Sequence, residues 1–508
     1  MFLSIIRSNF VIGFLLLPSF FAQAQSDKVI TIIGTGYVGL VSGACLAEIG
    51  NSVICADIDS KKIEMLHKGI MPIYEIGLSE IVERNVDAGR LMFTDNVAEA
   101  ITTADIIFIA VGTPMGDDGS ANLSYIDSVV RMIAENISSY KIIVTKSTVP
   151  VGTGKGIRAQ LEDIYKIDPN LFSIVSNPEF LREGLAVNDF LYPDRLVIGT
   201  DADSALIAMC EIYEALIAGG TPYVLTNVQT AEMIKYAANA FLSVKISYIN
   251  EVANLCDATD ADVKTVAYAM GLDHRISPAF LNPGPGFGGS CFPKDSQAII
   301  HIARQNNLPF HTVQAALDAN VIQQAKPVEK LRILMQKELQ EQAQGQREVQ
   351  SELKGKTVAV LGLAFKAGTD DVRYSPAITT IELLRKLGAT VKAYDPVAID
   401  NMRMIFSDLI YCTSAYEAAA QADAVIIMTD WDEIKQIDFA RLKKVMRFPM
   451  IVDARNVVNP EVLKQLGFIC DAIGQSYLCK TRNEYVRTLV PIHVHKRVPS
   501  NKFSSRKD

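Results

Sequence analysis

Residues 28–57 read KVITIIGTGYVGLVSGACLAEIGNSVICAD. A β-branched run over 28–33 enters the six residues from Gly34 to Gly39, with glycine at the first, third and sixth places. An apolar helical pattern follows over 40–49, then a second apolar run over 52–56 that ends on Asp57. Strand, glycine turn, helix, strand and then an acidic residue is the context in which G-x-G-x-x-G becomes a dinucleotide fingerprint. Gly34 allows the tight turn, Gly36 lets backbone approach a pyrophosphate, and Gly39 lets the helix pack on the strand. The helix N-terminus favours the phosphate charge. A carboxylate at Asp57 accepts from the adenosine ribose hydroxyls and repels a 2′-phosphate, so the expected cofactor is NAD rather than NADP.

The alternation continues down the chain. Runs over 105–111, 142–145 and 173–175 read as buried strands, each followed by polar residues at Gly112-Thr113-Pro114, Lys146-Ser147-Thr148 and Asn177-Pro178-Glu179. In an open parallel sheet ligands sit at the carboxyl ends of the strands. Thr148, Glu179 and Glu183 are therefore candidates to face cofactor or substrate, although a helix cap or a solvated loop is the commoner fate of such residues. Residues 230–255 carry apolar side chains at helical spacing without Gly or Pro and read as one long helix. Lys235 and Asn239 share a face of it, and Tyr236, Ala237, Ala238 and Ala240 leave little polar surface around the lysine. A second strand–glycine–helix–strand unit opens at 356–361, passes Gly362 and reaches Asp395; apolar runs at 424–428 and 450–452 extend it. It has no G-x-G-x-x-G, which points to a ligand other than a dinucleotide, and Lys366, Arg373 and Arg455 after its strands suit a phosphate. The fold class expected is α/β, with two doubly wound Rossmann-like domains joined by a long central helix.

Between the two units lies FLNPGPGFGGSCFPKDS, residues 280–296. Its glycines at 284, 286, 288 and 289 permit positive φ and close approach to a ligand, and Pro283 and Pro285 stiffen it. A thiol at Cys291 beside Lys294 is expected to be held towards the nucleophilic thiolate. The competing reading is a tight loop with a chance cysteine.

Composition narrows the function. The chain has 508 residues and a net charge of −8 with no basic block outside the C-terminus, which argues against nucleic acid as a partner while leaving room for a pocket that binds one small anion. Eight cysteines without C-x-x-C spacing or a Cys/His cluster argue against a metal and against a disulfide framework, and fit a reducing compartment. Residues 1–27 argue the other way: Arg7, an apolar run over 10–21 and Ala22-Gln23-Ala24 form a signal-like leader, or mark a mis-assigned start. Pro18 and the short length of the run exclude a stable membrane span. Residues 340–352 are polar and read as a linker, and the basic residues 481–508 are expected to be at least partly disordered.

GTGYVGL, KSTVPVGT, NPEFLREG, PGPGFGGSCFPKD and GLAFKAGTDDVRYSPA together make the chain resemble the UDP-glucose 6-dehydrogenase family over residues 28–477. The resemblance implies a 28–225 NAD-binding domain, a 226–340 central helical region for dimerisation and catalysis, and a 341–480 UDP-binding domain. It implies UDP-glucose as substrate, NAD as cofactor, and two successive oxidations of the sugar C6 alcohol through a thiohemiacetal and a thioester on Cys291. Lys235 and Asp295 match the pair that handles the C6 oxygen and its proton, Glu179 the acid/base for thioester hydrolysis and Thr148 the residue that orders water, with Asn239 beside them. Gly34, Gly36, Tyr37, Val38, Gly39, Asp57, Lys62, Thr113, Thr148, Glu183, Lys294 and Arg373 match cofactor-side positions. Glu179, Phe180, Leu181, Lys235, Asn239, Arg275, Phe280, Asn282, Gly284, Gly286, Gly288, Lys366 and Arg455 match positions that hold the substrate. A homodimer built on the long helix is implied, with Arg275 reaching the partner's substrate.

The chain departs from the family pattern in its leader, its longer linker and tail, and Ile76 where proline is common. NAD and nucleotide sugars are cytoplasmic pools, so a cytoplasmic enzyme is expected, although the leader leaves export open. The alternatives are a dehydrogenase of UDP-N-acetylmannosamine or GDP-mannose, which the PGPGFGGSCFPKD loop disfavours, and a non-catalytic nucleotide-sugar-binding protein, which intact Cys291, Lys235 and Asp295 disfavour.

Overall fold

The computed structural model describes residues 28–342 and 353–476. The leader, most of the expected linker and the basic tail lie outside the described residues. The first half is a sheet of eight strands: β1 Val29–Ile33, β2 Ser52–Ala56, β3 Leu91–Thr94, β4 Ile106–Ile109, β5 Lys141–Thr145, β6 Phe172–Ser176, β7 Leu196–Thr200 and β8 Tyr223–Thr226, in the order β3-β2-β1-β4-β5-β6-β7-β8. β4, β5 and β6 are buried along their whole length, as strands covered by helices on both faces must be. The order reverses between β1 and β4, the crevice where an open α/β sheet takes its ligand. The Gly34 turn stands in that crevice at φ 105°, its N–H bonded to the Ala56 carbonyl at 2.8 Å.

The expected parallel sheet has one exception, since β7 runs antiparallel to β6. The link between them contains only the six-residue helix Ala186–Leu191. Such a helix spans about 9 Å, too little to carry the chain back along a five-residue strand of about 16 Å. The chain stays at the carboxyl end of β6 and turns back there, which keeps the loop holding Glu179 and Glu183 on the ligand side.

From β8 the chain enters the helix Val228–Thr259, capped by Asn227 accepting from the Thr230 N–H and ended by Asp260 in the left-handed region. It extends two residues before and four beyond the expected span, because the cap lies outside the periodic pattern. Its first half packs Tyr236 and Ala240 against Phe287, Ile299 and Val313. Its second half packs Ile249, Ala253 and Cys256 into the core of the C-terminal half, with Val358 and Ile473. Val228 at its start belongs to the core of the first half, so one helix enters the cores of both halves, and helices Phe292–Gln305 and His311–Gln342 flank it. The second sheet is parallel throughout: β9 Thr357–Leu361, β10 Thr390–Tyr394, β11 Ile410–Tyr411, β12 Ala424–Ile427, β13 Met450–Asp453 and β14 Ile469–Ala472, in the order β11-β10-β9-β12-β13-β14. Strands β3, β7, β8, β11 and β14 were not distinguished in the sequence. Buried Lys330 ties this half to the long helix, with its ammonium 2.7 Å from Asp257 and 3.0 Å from Asp471.

Candidate active site

The N-terminal crevice fits a dinucleotide. A side chain on Gly39 would put its Cβ 1.9 Å from the Gly34 carbonyl oxygen, whereas a Cβ on Gly36 would meet nothing within 4 Å. The first glycine contact is helix-to-strand packing, and the second leaves open space over the turn. Tyr37 and Val38 begin the helix Tyr37–Glu48, whose N-cap Gly36 supplies no side-chain bond, so its first N–H groups are available to a phosphate. Asp57 is buried; its Oδ2 accepts from the Thr35 N–H at 2.8 Å and the Thr35 hydroxyl at 2.7 Å, and its Oδ1 accepts from the Asp59 N–H at 3.0 Å. Burial raises its pKa, but these donors and Lys62, 3.8 Å away, outweigh that and hold the carboxyl below its ordinary value. Oδ1 keeps acceptor capacity for a ribose hydroxyl.

The reacting groups gather where the long helix meets the glycine-rich loop. Lys235 and Asn239 lie on one face of the helix, one turn apart, and both are buried. Asn239 donates to Asp295 Oδ2 at 2.6 Å, and Asp295 is fully buried in the first turn of the helix that Cys291 caps. Lys235 Nζ lies 2.8 Å from Glu179 Oε1, so the lysine is neither solvated nor unpaired. Burial raises the Glu179 carboxyl, but the Lys235 charge and hydrogen bond, the Leu181 N–H at 2.6 Å and the Lys146 charge bring it below its ordinary value. Burial lowers Lys235, and Glu179, Cys291 and Asp295 more than reverse this. Lys294 also bonds Asp295 and lies 3.5 Å from the Thr113 hydroxyl, which in turn donates to the Thr148 carbonyl at 2.9 Å.

Cys291 corrects one expectation. Burial, reinforced by Asp295, pushes the thiol up to about 11; the pull of Lys235 and a bond with Ser290 do not offset it. Lys294 does not favour the thiolate, because its ammonium is engaged by Asp295. The resting sulfur is a neutral thiol.

A third group of residues joins the two halves. Glu183 accepts from Ser290 at 3.2 Å and from Thr369 at 3.3 Å and lies 3.5 Å from the Arg373 guanidinium. Burial and then Asp371 raise its carboxyl to about 7, against Arg373, the Ser290 bond and Lys366. Arg373 lies 5.7 Å from the Tyr37 ring centre, and the Tyr37 hydroxyl bonds Asp370, so the dinucleotide turn is tied to the C-terminal half. Arg455 donates to the Met428 carbonyl at 2.8 Å and the Phe365 carbonyl at 2.6 Å, at the carboxyl ends of β9 and β12, and Gly284 lies against its guanidinium. Lys366 stands over Phe365 with burial lowering its pKa. Gly286 adopts φ 100° beside Asn320, and a Cβ on Gly288 would lie 2.2 Å from the Tyr374 carbonyl. Phe280 packs edge-on against Phe292, Asn282 is exposed, and Phe180 carries the Arg195 guanidinium 3.5 Å from its ring centre.

Arg275 is not with the others: it is paired to Asp273 and 78% exposed. Several positioning residues were missed in the sequence. Asn250, Asn320 and Gln323 hold the glycine-rich loop by bonds to Gly284 and Phe287. Glu75 accepts from Gly184 and Ala186 and so holds the Glu183 loop. Lys146 is buried beside Glu179 and was passed over although it directly follows β5. Which polar residues are buried gave no periodic signal in the sequence. No cluster of His, Cys, Asp or Glu able to hold a metal occurs among the described residues, their seven cysteines are free thiols, and no helix among them is long and apolar enough to cross a membrane.

A dinucleotide crevice, a buried lysine–carboxylate pair and a thiol meeting between two α/β halves define an NAD-dependent oxidoreductase. Three family models match in succession: the UDP-glucose/GDP-mannose dehydrogenase family NAD binding domain over residues 28–217, its central domain over 229–321 and its UDP binding domain over 359–460. The chain belongs to the UDP-glucose/GDP-mannose dehydrogenase family. It is 46% identical over 449 residues to UDP-glucose 6-dehydrogenase TuaD of Bacillus subtilis strain 168, covering 88% of this chain and 93% of that one. A UDP-glucose dehydrogenase structure from Pyrobaculum islandicum superposes with TM-score 0.75 at 36% identity, covering 87% and 96% of the two chains. A UDP-D-ManNAc dehydrogenase structure from Pyrococcus horikoshii superposes with TM-score 0.75 at 27% identity, covering 88% and 100%.

Proposed function

We propose that this protein oxidises UDP-glucose to UDP-glucuronate with two molecules of NAD, each accepting one hydride. The observation that carries the reading is buried Lys235, which pairs with Glu179 and interacts with Cys291 and Asp295, so that one ammonium serves every reacting group. Lys235 and Asn239 stabilise the C6 oxygen as it becomes an alkoxide, and Asp295 shares its proton. The neutral Cys291 thiol adds to the aldehyde carbon while its proton passes through the Asp295–Lys235 pair to the aldehyde oxygen, giving a thiohemiacetal. Loss of the second hydride and the hydroxyl proton leaves a thioester. Glu179 takes a proton from the attacking water, which Thr148 orders; the C–S bond breaks, and the sulfur recovers a proton as the carboxylate and one free proton leave.

Arg455, Lys366 and the loop from Asn282 to Gly288, together with Phe180, Leu181 and Phe280, hold the nucleotide sugar. Greater identity to the UDP-glucose enzymes than to the UDP-D-ManNAc enzyme favours glucose among the sugars. Dependence on NAD and a nucleotide sugar supports a cytoplasmic site of action. A dimer is supported by Phe241, Tyr248 and Leu255, each more than half exposed and seven residues apart on the long helix, which places them on one stripe. Arg275, exposed and outside its own site, is then available to a partner's substrate. Mixing the purified protein with NAD and a panel of nucleotide sugars tests the reading: UDP-glucose is expected to yield two NADH per sugar, and a preference for another sugar, or no NADH with any, would overturn it.

A further inference from the structure

Lys146 is a buried ammonium for which the reaction above finds no use. Its Nζ donates to Asn177 Oδ1 at 3.0 Å and Tyr213 hydroxyl at 3.4 Å, and faces the rings of Phe190 and Tyr213 at 5.7 and 5.9 Å. All of these partners are neutral. A buried charge without an ionic partner in contact is costly unless another charge nearby offsets it. The carboxylate positioned to do so is Glu179, which lines the same small cavity, about 30 Å³. Lys146 and Glu179 act on each other electrostatically, while Lys235 opposes the charge on Lys146. Of the other charged groups around the cavity, Asp189 is bound to Arg182, and Arg195, half-buried over the face of Phe180, also acts on Glu179 at longer range.

The proposed chemistry makes two demands on Lys235. At rest it is the ionic partner of Glu179, and during each oxidation it is needed at the C6 oxygen. We propose that Lys146 is a positioning residue whose charge holds Glu179 as a carboxylate when Lys235 turns to the substrate. A second buried cation beside the base lets Lys235 change partners without Glu179 capturing a proton before water attacks. Burial lowers Lys146 to about 8, with Glu179 opposing and Lys235 adding to the effect, so at neutral pH it carries the charge this task needs.

The inference rests on Glu179 as the base for thioester hydrolysis, and the test separates the two. Thioester decay is followed by rapid quench and intact mass, from pH 5 to 9, in the wild type, Lys146→Met, Lys146→Arg and Glu179→Gln, normalised to sites that bind NAD. In Lys146→Met the acidic limb of hydrolysis is expected to move up by about one pH unit or more, as removing a nearby opposite charge does, with roughly tenfold slower hydrolysis on that limb. Lys146→Arg is expected to restore the wild-type limb, which a purely structural role for lysine would not produce. If Lys146→Met does not fold, Lys146→Gln makes the same comparison with a polar, uncharged side chain. An unmoved limb in the uncharged variant, beside a Glu179→Gln enzyme stalled at the thioester, overturns this inference alone. A Glu179→Gln enzyme that does not stall overturns the base assignment and the inference with it.

Discussion

Lys235 Nζ and Glu179 Oε1 lie 2.8 Å apart, and each side chain keeps 4% of its surface exposed. Such a pair contributes little relative to an apolar substitute but is costly to break on one side. Lys235→Ala is expected to lower unfolding free energy by about 3–5 kcal/mol, whereas Lys235→Met with Glu179→Gln is expected to recover most of that loss. Chemical denaturation checks both, and additive losses in the double variant would show that the charges do not interact. The depressed Glu179 contributes stability above its unfolded value, about 4.3, which is lost as pH falls through the folded value. The raised Lys235 contributes below its unfolded value, about 10.4, and that part is lost as pH rises through the folded value. The pair is therefore fully stabilising between these limits.

Asp57 holds the Gly34–Gly36 turn through Thr35, and we propose that it also presents its carboxylate to the ribose of the cofactor. The wild type is expected to ignore NADP. Asp57→Ala is expected both to relax that preference and to weaken NAD, because the turn loses its anchor. Steady-state kcat/KM with each cofactor decides this, and equal values in the unmutated protein would refute the assignment.

Cysteine is needed twice, to trap the aldehyde and to leave from the thioester. Cys291→Ser is expected to release some NADH and stall at an ester, and Cys291→Ala to leave the aldehyde or its hydrate. Glu179→Gln is expected to accumulate the thioester, since loss of general-base help costs about 10²–10⁴-fold. Intact-mass spectrometry identifies each species. Near wild-type turnover to UDP-glucuronate by Cys291→Ala would make the cysteine a bystander.

A thiol pushed up to about 11 reacts slowly at neutral pH, because the thiolate is the nucleophile. Inactivation of the free protein by iodoacetamide is expected to rise about tenfold per pH unit from pH 7 to 10 as the thiolate fraction grows. A fast rate at pH 7 that pH barely changes would show a resting thiolate.

The exposed stripe of Phe241, Tyr248 and Leu255 is expected to be the dimer contact. Replacing all three with glutamate is expected to give a monomer with little activity, through loss of Arg275 from the partner's site. Light scattering at assay concentration, run beside the activity assay, checks this; a fully active monomer would refute it.

Much of this was legible in the sequence, and unequally so. The first βαβ unit was readable because glycine spacing, two apolar strands and Asp57 reinforce one another within 30 residues. The long helix was readable from its periodicity, and the second sheet from its repeat of strand and turn. β7 was not read at all, and its reversal could not have been read from its own residues, because parallel and antiparallel strands share the same apolar pattern and only the length of the intervening helix distinguishes them. The protonation of Cys291 was misread because Lys294 is near in sequence, yet what sets the thiol is burial and Asp295, assembled by folding. Lys146, one of a polar triplet after β5, and Glu75 were missed because the burial of a polar residue leaves no pattern in the sequence until its partners, far along the chain, are placed around it.

A Cβ on Gly184 would lie 2.3 Å from the Gly368 carbonyl oxygen, and one on Gly288 would lie 2.2 Å from that of Tyr374. At both places bare backbone meets bare backbone across the cleft, and the glycine-rich loop adds a bond from the Gly289 N–H to the Arg373 carbonyl at 2.8 Å. Chemistry that passes through a free aldehyde has to keep that aldehyde from diffusing away before the sulfur captures it. With no Cβ between them, the backbones along this seam pack directly on one another, a wall suited to retaining such an intermediate; one methyl group at Gly184 or Gly288 would force the two backbones apart.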